Sequence, residues 1–375
     1  MSNQKSKVYF TNLRVPLGMS LLTKLDKLIR TAGMGEIDFD NKFTAIKIHF
    51  GEPGNLTFLR PNYSKVVADL VKEQGGIPFL TDCNTLYAGR RKHALEHLES
   101  AAENGYSVQS TGCQILIGDG LRGNDDVEIP VEGATHIKTA KIGTAVMEAD
   151  VFLSLNHFKG HECTGFGGAI KNIGMGCASR RGKMEQHNSG KPVVSENRCV
   201  SCTQCAKICG QDAIYFENKK AIINQEKCVG CGRCLGVCNF DAIHNPNSSA
   251  NRDLSLKMAE YTKGVLDGRP HFHISLVVDI SPYCDCHGES DMAILPDVGI
   301  FCSFDPVALD QACAEACLKS EPIKGSLLDE KLHEEGGDHH DHFTSNHPDT
   351  NWEDTLEHAE KIGIGSRSYE LIIME

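Results

Sequence analysis

No continuous apolar run in this 375-residue chain is long enough to cross a bilayer, and its opening, MSNQKSKVYFTNLR, has no stretch suited to a signal peptide. A soluble cytoplasmic protein is therefore expected, with no membrane partner. Positive charge is also short: 38 Lys and Arg stand against 50 Asp and Glu, a formal net charge of −12. Binding to nucleic acid or an anionic lipid surface depends on neutralising phosphates with Lys and Arg, so no nucleic acid is expected as partner either. Neither a Rossmann G-x-G-x-x-G nor a Walker A sequence is present, so the motifs do not support nucleotide binding.

Cysteine, by contrast, is abundant, with 17 residues. A short secreted chain would use them as a disulfide framework, but a chain this long buries a sufficient core without them. Thiolate chemistry is the better reading. CVSCTQCAKICGQDAI, from Cys199, is repeated 29 residues later as CVGCGRCLGVCNFDAI, from Cys228. In each copy C-x2-C-x2-C wraps one [4Fe-4S] cluster with three thiolates, and the cysteine four residues on belongs to the neighbouring cluster. Cys199, Cys202, Cys205 and Cys238 are thus expected to hold one cluster, and Cys228, Cys231, Cys234 and Cys209 the other. Tetrahedral sulfur also suits zinc, but eight cysteines duplicated at these spacings favour two clusters.

The rest of the chain has an α/β rhythm. LLTKLDKLIRTAG, YSKVVADLVKEQG and RKHALEHLESAAENG have helical spacing; FTAIKIHF, IPFLTD, CQILIG and DVFLSLNHF read as strands. Strands separated by helices favour a mostly parallel sheet covered on both faces. The pattern breaks at residues 193–247 and resumes with a helical DLSLKMAEYTKGVL, a strand HISLVVDIS, VGIFCSFD and a helical PVALDQACAEACLKS. A discontinuous α/β domain, 1–192 and 248–375, with an inserted α+β cluster module at 193–247, is expected. Residues 321–350 are polar and His-rich and read as a long loop, with no role for HHDH at 339–342. NWEDTLEHAEKIG and YELIIM then read as a helix and a strand that dock.

Open α/β sheets bind ligands beyond the carboxyl ends of their strands. There the sequence places His49, Glu52 and Asn55; Asp82, Cys83 and Asn84; Asn156, His157, Lys159 and His161; and Cys284, Asp285 and Cys286. Asp305, before PVALDQA, reads as a helix cap. Between His157 and His187, Lys159, Lys171, Arg180, Arg181 and Lys183 face only Glu162 and Glu185, which implies an anionic small molecule. Gly165, Gly167 and Gly168 would let its charge approach the free N–H groups of the next helix. His49, His157 and His161 are the acid/base candidates. Cys284 and Cys286 fall on one side of an extended chain and would suit a metal, a further cluster or a redox-active dithiol. Cys113, Cys163 and Cys177 are spare thiols; Cys83, Cys302, Cys313 and Cys317 read as small buried apolar residues.

The two CxxCxxC copies resemble bacterial two-cluster ferredoxins, which implies single-electron transfer by that segment. Gly210 and Asn239 stand where those ferredoxins place proline. Over nearly the whole chain, KIHFGE, NHFKGHECTGFGGAIKNIGMG, SPYCDCHG and GIFCSFDPVALDQA resemble the domain-of-unknown-function 362 family, whose fold would be shared but which brings no reaction. His161, Lys171 and His187, with GFGGAIK between them, also resemble the nickel-pincer lactate racemase family. That likeness implies an acid/base role for His161, cofactor attachment at Lys171 and metal ligation by His187. Gly167 and Ala169 depart from the racemase core, and a racemase needs no electrons, so the likeness carries the pocket and not the reaction.

An oxidoreductase is expected, in which the cluster module exchanges electrons with a site in the α/β domain. Its catalytic candidates are His161, Lys171, His157 and His49; its cofactor or anion contacts are Lys159, Gly167, Gly168, Lys171, Lys183 and His187. An additional metal, cluster or organic cofactor is placed near Lys171 or Cys284 and Cys286. A redox partner protein or low-potential donor would supply the electrons. The alternatives are a non-enzymatic electron carrier or docking protein, and a metal- or cofactor-handling protein.

Overall fold

The computed structural model describes residues 5–86, 89–187, 191–230, 234, 238, 240, 242–244, 250–334 and 341–374. Eight strands form the central sheet: β1 (Ser6–Thr11), β2 (Phe43–Lys47), β3 (Ile77–Asp82), β4 (Gln114–Ile117), β5 (Val151–His157), β6 (His271–Val277), β7 (Gly299–Ser303) and β8 (Tyr369–Ile373). Their spatial order is β8-β1-β7-β6-β5-β2-β3-β4. Every pairing is parallel except the two made by β7. The fold is α/β with a mostly parallel sheet.

Both faces are covered, because side chains alternate across each strand. On β5, Val151, Leu153 and Leu155 pack with Leu25 and Leu28 of α1 (Leu21–Thr31) and Val67 and Val71 of α2 (Pro61–Glu73). Phe152 points the other way, towards Tyr261 and Val265. That second face carries α3 (Ala169–Gly174), α4 (Arg180–His187), α5 (Ala250–Leu266) and α6 (Pro306–Leu318). Asp305 caps α6, its carboxylate accepting the amides of Val307 and Ala308 at 2.8 and 3.0 Å. Among the described residues no helix is long and apolar enough to cross a membrane.

β5 and β6 come from opposite sides of the cysteine-rich segment yet are neighbours, with Leu155 beside Ile274. Within that segment Val193–Val194 pairs with Ile243–His244, so the chain enters and leaves side by side. A hairpin of Ile214–Glu217 and Lys220–Ile223 lies between. Cys205, Ile214, Ala221, Ile223, Cys234 and Ile243 form a small core of their own.

The loop expected at 321–350 is in part helical: Leu327–Glu334 and His342–Asn346 are helices. Elements of eight and five residues are too short for periodicity to reveal. The second is held by its Asp341 cap and by Phe343, buried against Phe158 and Phe166 at ring distances of 5.9 and 5.4 Å. In the HHDH run, His339 and His340 lie outside the described residues, and His342 is buried with Nε2 2.9 Å from the Ser320 carbonyl.

Candidate functional site

A cleft spanning about 970 Å³, part of it open to solvent, lies at the carboxyl ends of β2, β3 and β5. It is lined by Lys47, His49, Asp82, Arg91, His157, Lys159, His161, Glu162, Cys163, Lys171, Lys183, His187 and Cys286, among others. The strand-end residues therefore converge. Because β7 runs antiparallel to β6, the 278–298 connection turns back at this same end and holds Cys284, Asp285 and Cys286 beside the cleft.

Lys171, in the cleft wall, places Nζ 2.9 Å from the buried Cys284 Sγ. Burial alone would raise the Cys284 pKa, but hydrogen bonding with Cys286, the Lys171 charge and a contact with His161 hold it well below the ordinary thiol value. Cys286, buried beside that thiolate, is pushed well up. The two neighbouring thiols are thus pushed in opposite directions, Cys284 down and Cys286 up. Lys171 is raised in turn: burial opposes its charge, and the negative sulfur outweighs burial.

The histidines differ in what their nitrogens are free to do. His157 is committed, with Nδ1 2.9 Å from Asp285 and Nε2 2.8 Å from the Val278 carbonyl. His49 faces two donors, the Gly51 amide at 3.0 Å and Arg91 Nη1 at 2.9 Å; burial, then Arg91, keeps its pKa well below the usual value. In His161, Nδ1 accepts from the Cys163 amide at 3.1 Å, which leaves the proton of the neutral ring on Nε2. His187 is pushed down to about 4 by burial and by the nearby His161 and Lys171.

Most cations of the cleft are paired. Lys47 meets Asp82 at 3.0 Å, Arg91 meets Glu52 at 2.8 Å and Lys159 meets Asp285 at 3.6 Å. Lys183 donates to the Ala178 carbonyl at 2.5 Å and has no carboxylate within 4 Å among the described residues. Arg180 and Arg181 line no part of the cleft, and Arg181 is paired with Asp126.

The glycine-rich turn does not offer its helix N-terminus to a ligand. Asp310 already occupies it, accepting the amides of Ala169 at 2.6 Å and Ile170 at 2.9 Å. A Cβ on Gly168 would lie 2.3 Å from Asp310 Oδ1, so this glycine serves an internal carboxylate. The sequence could not reveal a cap that comes from 141 residues away. Gly167 packs against two cleft lysines: a Cβ there would lie 3.3 Å from Lys159 Nζ and 3.6 Å from Lys171 Cδ.

Sequence reasoning missed Lys47, Arg91 and His287. Lys47 had a signal, a lysine in the apolar run FTAIKIHF; the others had none. Cys163 and Cys83 line the cleft, whereas Cys113 and Cys177 are buried in the cores on either face. Cys302, Cys313 and Cys317 are fully buried, as read.

A second cavity, of about 340 Å³, is lined by Cys199, Cys202, Cys205 and Cys238 with Val194, Phe216 and Ile243 among its apolar walls. Backbone amides point at cysteine sulfur in equivalent places of the two repeats, Ala213 to Cys209 at 3.4 Å and Ala242 to Cys238 at 3.3 Å. Cys231 and Asn239 lie outside the described residues. Four sulfurs around one apolar-walled void fit the chemistry of a tetrahedral thiolate-held cluster.

No curated protein matches the sequence. Among solved structures, the lactate racemase apoprotein from Thermoanaerobacterium thermosaccharolyticum aligns with a TM-score of 0.35 and 13% identity, over 73% of this chain and 51% of that one. A protein from Thermotoga maritima aligns with a TM-score of 0.42 and 13% identity, over 79% and 57%. The chain thus spans little more than half the length of either. Residues 44–315 match the family described as Domain of unknown function (DUF362), and the chain belongs to that family.

Proposed function

We propose that the chain is an iron–sulfur electron-transfer protein, and that it acts as an oxidoreductase on an anionic small molecule or cofactor held in the cleft. Its cysteine-rich segment would carry two [4Fe-4S] clusters, which supply or remove single electrons. One observation carries the link between the two parts. α4 ends at His187, before the cysteine-rich segment, and α5, after it, carries Leu254 and Met258; all three residues line the cleft. α4 and α5 are also tied together, Lys257 Nζ meeting the Glu185 carbonyl at 3.0 Å and Tyr261 Oη meeting Glu185 at 2.6 Å. The helices on either side of the segment therefore both contribute to the cleft wall.

The residues divide the work. Lys183 and His187 would receive the anionic group, because among the described residues Lys183 alone of the cleft lysines has no carboxylate within 4 Å and no hydrogen bond to sulfur. His161 would move a proton at Nε2, and Lys171 would keep Cys284 ionised beside it. His157 serves as a positioning residue for Asp285. A redox partner protein would meet the cluster segment.

Purified without oxygen, the full chain is expected to hold about eight iron and eight sulfide ions. Calorimetric titration with small carboxylates should detect binding that weakens at least tenfold, about 1.4 kcal/mol, when Lys171, His161 and His187 are changed together. Binding that survives the triple variant would refute the pocket assignment; a chain that takes up no iron would refute the cluster assignment.

A further inference from the structure

The geometry points to a mononuclear metal site in the floor of the cleft, made by Glu162, Cys286 and His287 and suited to a divalent ion of zinc's class. This deepens the functional reading of the cleft and is separate from the cluster segment.

One donor atom from each of the three residues lies within 4.8 Å of the other two. Glu162 Oε1 and His287 Nε2 are already 2.7 Å apart. Glu162 Oε2, also buried, has no hydrogen-bond partner among the described residues. A carboxylate oxygen taken out of water and left unmatched is costly. The contact with His287 explains Oε1, and the Cys286 thiol has Cys284 as its partner; among the described residues Oε2 alone is unmatched. A cation between carboxylate, sulfur and imidazole would match it.

The donor set selects the ion. Carboxylate oxygen, imidazole nitrogen and thiolate sulfur together suit zinc or iron(II), and exclude calcium and magnesium, which take oxygen ligands. Around a tetrahedral ion such donors stand about 3.4–3.7 Å apart, so loading the site asks for side-chain shifts of about 1 Å. Three protein ligands leave a fourth position open, the pattern of a catalytic site. That position faces the cleft, because Glu162 and Cys286 both line it. Loading exchanges the thiol proton of Cys286 for the ion and releases it to solvent, with no change of oxidation state. Cys284 remains with Lys171 and is not needed as a ligand. His161 lines the same cleft.

The test loads the full-length, oxygen-free protein with Zn²⁺, dialyses it against zinc-free buffer, and measures zinc and iron in the same sample. Wild type is expected to retain one zinc per chain more than the isosteric Glu162→Gln, Cys286→Ser and His287→Gln variants, with iron unchanged among the four proteins. A chelator competition should weaken zinc binding in Glu162→Gln by tenfold or more. If Cys286→Ser does not fold, the Glu162→Gln comparison decides. Equal zinc in wild type and the folded variants would overturn the site. Absence of iron with the zinc difference preserved would overturn the cluster reading and leave this site standing.

Discussion

Replacing Lys47 by methionine is expected to destabilise the α/β domain by about 3–5 kcal/mol, the cost of breaking a buried ion pair by removing one partner. The Lys47 side chain is wholly buried, and its ammonium lies 3.0 Å from Asp82 and 2.7 Å from Asn172 Oδ1. Without it, Asp82 keeps the Cys83 amide at 2.9 Å and, more distantly, Arg91 and His97, each at 3.7 Å. The space is made to measure: a Cβ on Gly176 would lie 2.4 Å from Lys47 Nζ, so Gly176→Ala should displace the ammonium as well. Burial pushes the Asp82 pKa up, but the charges of Lys47 and Arg91 outweigh it and the net shift is down; His97, itself pushed down to about 3 by burial, carries no charge near neutrality. A carboxylate lowered on folding stabilises the native state above its unfolded pKa of about 4, and that contribution fades as pH falls through the lower folded value. The gap between wild type and Lys47→Met should therefore be widest near neutrality and narrow below about pH 4. Trp352, the only tryptophan and buried in the α/β domain, reports the unfolding by its fluorescence in urea. The double variant Lys47→Met/Asp82→Asn should be less destabilised than the two single effects added together. Strict additivity, or a Lys47→Met midpoint equal to wild type, would show that the pair contributes nothing.

Lys47 also illustrates what the sequence could disclose. A strand buried on both faces reads as a continuous apolar run, and β2, β3, β5 and β6 were legible for that reason. A lysine inside such a run must find a partner, but the run does not say that the partner is Asp82 on the next strand. The direction of β7 was equally hidden: an apolar pentapeptide has no polarity, and only the 278–298 connection, turning back at the carboxyl end, makes it antiparallel. The short hairpin of Lys159–His161 with Gly165–Gly167 lies in a glycine-rich stretch and left no alternating pattern. At the site, the rule that ligands gather beyond strand ends placed His49, Asp82, His157 and Cys286 on one cleft. Arg91 and His287 escaped it, because each owes its place to a carboxylate 39 or 125 residues away. The helix N-terminus, read as an anion site, failed for the same cause: Asp310 reaches it from a distant helix. Local rules locate a cleft; long-range pairing decides which of its groups are already spoken for.

The same distinction governs the cysteine repeat, where the expected effects are largest in iron rather than in stability. The void lined by Cys199, Cys202 and Cys205 is completed by Cys238 from the second repeat, and Cys209 is not among its walls. The pairing of Val194 with Ile243 accounts for this, because it folds the end of the segment back beside its beginning. If the ligand sets are crossed, Cys205→Ala and Cys238→Ala each remove the same cluster, so each should lose about half of about eight irons. Their double variant should still hold about four, since two lesions in one site are not additive. Cys205→Ala combined with Cys209→Ala strikes both sites and should leave almost none. Iron and sulfide counts on protein purified without oxygen separate the cases. The reverse pattern, with Cys205→Ala/Cys209→Ala keeping half and Cys205→Ala/Cys238→Ala keeping none, would mean that each repeat binds its own cluster. In the crossed arrangement neither half can be filled while the other is misplaced, so loading with iron would also fix the two halves against each other.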